Sequence, residues 1–164
     1  MLSNYTILHG LISGATFTGY IFLLMITLSP RIWGYQDYPD SVKKKVPPQT
    51  KRERTIAGIV GIPFIIFALG FPIYSVLALK TQLGGEISFV DAFIHLLVLV
   101  MSANLGDLVI LDWLIISKIT PSFVVIPGSE VEDYKDFSHH YKGHIWASLI
   151  MILLCGIMAV IISR

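Results

Sequence analysis

The amino-acid sequence predicts an all-α, polytopic membrane protein: a four-transmembrane-helix antiparallel bundle with a short cytoplasmic helix before the last span. Three observations carry that expectation. Apolar residues make up 54% of the 164 positions and charged residues only 14%, against roughly a quarter charged in soluble domains. Four apolar stretches each approach the ~20 helical residues that a hydrocarbon core requires. The basic residues gather in alternate connecting segments, the pattern of the positive-inside bias. Residues 1–164 read as a single integral membrane domain.

The first span is expected at about 7–28. No basic segment precedes it and no small-residue cleavage site leads up to Pro30 and Arg31, so it reads as a span and not as a secretory leader. His9, Ser13, Thr16, Tyr20 and Thr27 recur along it at helical spacing. A polar side chain in lipid costs free energy unless it meets a partner or a cavity. Ser13, Thr16 and Tyr20 are therefore expected to line a pocket. Gly10 and Gly14, four apart beside that stripe, form a small surface for close helix contact.

The loop that follows, about 29–55, carries Arg31, Lys43, Lys44, Lys45, Lys51, Arg52 and Arg54, and the third loop, about 117–144, carries Lys118, Lys135 and Lys142. Lys80 and Arg164 fall on the other side. Both larger loops are thus expected in the cytoplasm and both termini outside, with the plasma membrane as the compartment. Trp33, Tyr35, Trp113 and Trp146 fall where an aromatic belt is expected. Within the first loop, Pro39, Asp40 and Ser41 open a short helical turn that Pro47 and Pro48 end.

The second span, about 56–79, is nearly free of polar side chains but holds Pro63 and Pro72, each of which removes a helical hydrogen bond and bends the helix. The third, about 89–116, contains the most costly residues. Asp91, His95, Ser102 and Gly106 share one face, and Asn104 and Asp107 another, at 100° per residue. A central aspartate costs about 2.5–3.5 kcal/mol on insertion scales. Asp107 is accordingly the candidate catalytic acid or base, with Asn104 as its orienter and Asp112 alongside near the cytoplasmic boundary.

In the third loop, Phe123 to Ile126 lie between Pro121 and Pro127. That run is too short to span, so it lies in the interface or folds back on the bundle. Ser129 to Glu132 has the capping-box pattern and predicts a helix running through Tyr134 toward His139, His140 and His144. The fourth span follows at about 145–162.

Composition also excludes functions. A net charge of +1 gives no field for nucleic acid. A lone Cys155 supplies neither an internal disulfide nor a CxxC pair. His140 and His144, four apart, present two imidazoles to one side, and with Asp112 or Glu130 they make a candidate divalent-metal site of mixed nitrogen and oxygen ligands. His9 and His95, on two spans, are the candidate axial pair for a haem. A hydrogen bond to Asp91, four residues earlier, accounts for His95 equally well.

Three functions stay open at this level. One is a small membrane enzyme or cofactor-binding protein acting on a lipophilic small molecule through a polar pocket open to the cytoplasm. Another is a proton-coupled transporter or channel component in which Asp107 titrates. The third is a structural or assembly subunit whose polar stripes meet other membrane helices. The lipid bilayer is the common partner of all three.

Overall fold

A computed structural model describes residues 4–164. Four of its helices are long and apolar enough to cross a membrane, and they form a bundle. In chain order the elements are α1 (Asn4–Thr27), α2 (Pro30–Trp33), α3 (Asp40–Lys45), α4 (Lys51–Gln82), α5 (Phe89–Gly106), a π-helical continuation of α5 (Asp107–Ile119), a 3-10 turn (Val131–Tyr134) and α6 (Ser138–Ile162). Below, "loop end" denotes the end of the bundle that carries α2, α3 and the 120–137 loop; the opposite end is the "terminal end".

Caps, more than hydropathy, set the boundaries. Ser29 accepts from the Arg31 amide and Pro30 fills the first position of α2, where an amide hydrogen would have no partner. Helix α3 has Asp40 in its first turn and Lys43, Lys44 and Lys45 in its last, each sign matched to the helix dipole. Thr50 and Glu53 form a capping box, so α4 begins at Lys51, ahead of its apolar stretch. Ser88 caps α5 by accepting from the Asp91 amide. Gly84 and Gly85, at φ of 88° and 95°, make the turn between α4 and α5 in a conformation other residues resist.

Helix α5 is the centre of the bundle, packed most closely on α1 and next on α6, while α4 touches α1 and α5 more lightly. The α1–α5 pair runs parallel in a four-residue register, Gly10 on Val98, Gly14 on Ser102 and Thr18 on Gly106. A Cβ on Gly14 would stand 3.0 Å from the Ser102 carbonyl oxygen, so the expected glycine surface is used for backbone approach inside the bundle. Pro63 and Pro72 both lie within the uninterrupted α4. In the turn of Pro63 the Val60 carbonyl accepts the Tyr20 hydroxyl at 2.6 Å.

The third loop resolves one choice and corrects one expectation. Its apolar run folds back: Val124 and Ile126 are fully buried in a cluster with Met25, Tyr38, Val42, Leu111 and Tyr134. The Tyr38 hydroxyl donates to the Val124 carbonyl at 2.8 Å, and the Ile126 amide donates to the Tyr134 hydroxyl at 2.9 Å. The cap, however, is Glu130 with Asp133. Ser129 instead donates to the Ile126 carbonyl, so the predicted helix shrinks to a single 3-10 turn and α6 starts afresh at Ser138.

Candidate functional site

At the loop end, the π-helical segment, the start of α6 and the turn after α2 enclose a cavity of about 380 Å³. Asp107 and Asp112 come from the first, His140 and His144 from the second, and Gln36, Asp37 and Tyr38 from the third; Ile21, Met25 and Leu111 give it an apolar wall.

The winding of the helix is what aligns the two acids. In an α-helix, residues five apart point roughly 140° away from each other. From Asp107 onward the bonding is i to i+5, which widens the turn and brings residues five apart toward the same side. Asp107 and Asp112 thereby meet the same imidazole, and Leu111 and Ile116, also five apart, are both buried. Winding of this kind is frequent at functional sites.

His144 is the hub. Its Nδ1 lies 2.7 Å from Asn104 Oδ1, while Asn104 Nδ2 donates to Ser148 Oγ at 2.9 Å. With the amide so turned, Nδ1 must carry a hydrogen. The exchangeable position of the ring is then Nε2, 2.9 Å from Asp112 Oδ2 and 3.8 Å from Asp107 Oδ2. His140 Nδ1 approaches the same Asp112 oxygen at 3.2 Å. Asp112 is thus held by two imidazoles and Asp107 is held loosely. An imidazole fixed at one nitrogen and facing carboxylates at the other is suited to taking and returning a proton.

Asp37 stands at the mouth of the cavity and is exposed by area. Desolvation by the surrounding protein, together with the charge of Asp112, raises its pKa above the usual carboxylate value, while His140 and Lys43 oppose the shift. Lys43 is itself turned to the backbone, its Nζ donating to the Gln36 carbonyl at 2.6 Å.

Several expected site residues fall elsewhere. Glu130 pairs with Lys45 at 3.2 Å and does not join His140, His144 and Asp112. Among the described residues no three His, Cys, Asp or Glu side chains form a metal-ligand group. The physical reason is that both imidazoles aim their nitrogens at one Asp112 oxygen, so the donors satisfy each other instead of a common centre.

His9 and His95 do come together at the terminal end, but with Ser75 between them. Ser75 Oγ lies 2.6 Å from His9 Nδ1 and 2.7 Å from His95 Nε2, and His95 Nδ1 meets Thr6 Oγ1 at 2.8 Å. Both nitrogens of His95 are thereby committed, leaving none for a haem iron. The network instead ties α4 to α1 and α5. Asp91 takes the Ser88 hydroxyl at 2.6 Å, so the expected bond to His95 is replaced.

Ser13, Thr16 and Tyr20 do not line the cavity, because it lies farther along α1, at Ile21 and Met25. Ser13 is buried, Thr16 is exposed, and Tyr20 turns toward α4. Sequence reasoning missed Asp37 and the Ser148 partner of Asn104, and it placed Trp33 in an aromatic belt and not in the cavity wall. The five-residue spacing of Asp107 with Asp112 and of Leu111 with Ile116 was the one signal in reach. No family model matches the chain, and no curated protein or solved structure matches it.

Proposed function

We propose that this chain is a small membrane enzyme of the cell membrane whose loop-end cavity faces the cytoplasm and carries out acid–base chemistry on a lipophilic molecule. The orientation rests on the concentration of Lys and Arg in the two large loops, with both termini outside. The observation that carries the chemistry is His144, fixed at Nδ1 by Asn104 and facing Asp112 and Asp107 at Nε2, inside a cavity with an apolar wall.

In this reading Asp107 meets the substrate and gives or takes the proton, because of the two carboxylates that face His144 it is the less committed, at 3.8 Å against 2.9 Å for Asp112. His144 passes that proton on through Nε2, and Asn104 holds the ring. Asp112 orients both imidazoles and stabilises their charged forms. A positioned acid or base of this kind contributes about 10²–10⁴ in rate.

The test compares lipid extracts of membranes holding equal amounts of the wild type and of Asp107→Asn, by mass spectrometry. A lipophilic species converted by the wild type and left intact by the variant supports the reading. Identical profiles from the two, with both proteins folded, overturn it.

A second reading, proton-coupled transport, draws on the Thr6–His95–Ser75–His9 network at the terminal end, which places proton-exchanging groups at both ends of α5. Proton flux into liposomes that is lost in both Asp107→Asn and His95→Ala would favour it over the enzyme.

A further inference from the structure

The cavity is unbalanced in charge. Asp37, Asp107 and Asp112 face it, and among the described residues no lysine or arginine lines it, so the imidazoles of His139, His140 and His144 are the basic groups in its wall, with Lys43 acting on Asp37 from outside it. Lys43, the nearest ammonium in sequence to Asp37, is turned to a backbone carbonyl. Asp112 is engaged by two imidazoles and Asp107 has the long contact to His144, but among the described residues Asp37 has no hydrogen-bond or ion-pair partner for its carboxylate.

The other wall is apolar and aromatic. Ile21, Met25, Leu111 and Ile116 run into it from the bundle, and Trp33 stands at the mouth. The Trp33 indole N–H is buried with no hydrogen-bond partner among the described residues. An anionic mouth and an aliphatic wall together match an amphiphile with a positively charged head, since an ammonium gains from carboxylates and its apolar body from the wall. A bare metal ion fits less well, because the ligand atoms are directed at one another and not at a shared point.

We propose that the occupant of the cavity is a lipophilic amine, with Asp37 as the residue that anchors its ammonium group and the Ile21–Met25 side of α1 receiving its apolar body. The proposal rests on the acid–base reading of the same cavity and names its substrate class. It makes Asp37 a positioning residue: it holds the head group beside Asp107 and takes no part in proton transfer.

The experiment uses the full chain in zwitterionic lipid nanodiscs, with empty nanodiscs subtracted, and titrates octylamine, octanol and octanoate calorimetrically at pH 7. Octylamine is cationic there, as a lysine side chain is. The expected result is saturable binding of octylamine alone, weakened at least about tenfold in Asp37→Asn and largely kept in Asp37→Glu. Octanol or octanoate binding as tightly as octylamine overturns the proposal. So does octylamine binding that Asp37→Asn leaves intact, or saturable binding of Zn²⁺ or Mg²⁺ in place of the amine. Because binding needs no proton transfer, failure here with a persistent effect of Asp107→Asn on lipid extracts removes only the amine, whereas amine binding without that effect removes only the chemistry.

Discussion

Nε2 of His144 lies 2.9 Å from Oδ2 of Asp112, a contact that joins the start of α6 to the π-helical end of the central helix. Asp107, one wide turn earlier, reaches the same nitrogen only at 3.8 Å. The two acids are therefore expected to separate under mutation. Asp112→Asn strips charge-assisted bonds from two imidazoles and leaves them facing a weaker partner, for a loss of about 2 kcal/mol. Asp107→Asn loses little contact and should stay within about 0.5 kcal/mol of the wild type while abolishing activity. Thermal unfolding in detergent, read beside the lipid-extract assay, checks both. Equal destabilisation by the two variants would show that Asp107 is a structural carboxyl.

The α1–α5 seam makes a second prediction. A methyl group on Gly14 would press on the Ser102 backbone, which cannot turn aside, and one on Gly106 would meet the Thr18 side chain. Gly14→Ala and Gly106→Ala are expected to cost about 1–3 kcal/mol each, as over-packing does. Gly61 in α4 has open space where its Cβ would be. Gly61→Ala should accordingly be neutral, or stabilising by up to ~1 kcal/mol through helix propensity. The same thermal measurement tests all three, and a loss at Gly61 equal to that at Gly14 would refute the seam.

The four long apolar helices and their order were legible because stretches of that length and composition admit few other structures. Asp107, Asn104, Asp112, His140 and His144 were also legible as unusual, because charge in a span is costly wherever it points. What could not be read was direction. The helical wheel assumes 100° per residue, and from Asp107 the chain abandons that winding, which is why Asp112 comes round to join Asp107. Asp37 was invisible for a different reason. A loop acid between Gln36 and Tyr38 looks like any solvated side chain until the fold places it over a cavity. His9 and His95 were read as a pair that could hold a haem, but a lone serine from another helix takes one nitrogen of each, and no spacing within either span could have announced it.

The orientation can be checked with single-cysteine variants, since the native Cys155 is buried between helices. Ser41 in α3 and Glu86 in the α4–α5 turn are exposed at opposite ends of the bundle. In intact cells a membrane-impermeant maleimide is expected to label Glu86→Cys and to spare Ser41→Cys. Opening the cells should expose Ser41→Cys as well. The reverse pattern would place the cavity outside and invert the topology drawn from the lysine-rich loops.

Asp37 also sets a pH dependence. Its pKa is raised in the folded protein, by desolvation and by the charge of Asp112. The folded state then binds a proton that the unfolded state has already released. Its contribution to stability is complete below the unfolded carboxylate pKa, about 4, and is lost as pH rises through the elevated folded value. Asp37→Asn removes this dependence, because an amide does not ionise. The midpoint of the variant relative to the wild type should therefore rise with pH above about 4 and level off once Asp37 is ionised in both states. Thermal midpoints of the two proteins, taken at intervals from pH 4 to pH 8, give the difference directly. A gap that narrows as pH rises would mean that Asp37 is stabilised as an anion, with a cation of the protein already beside it and no place for one from a ligand.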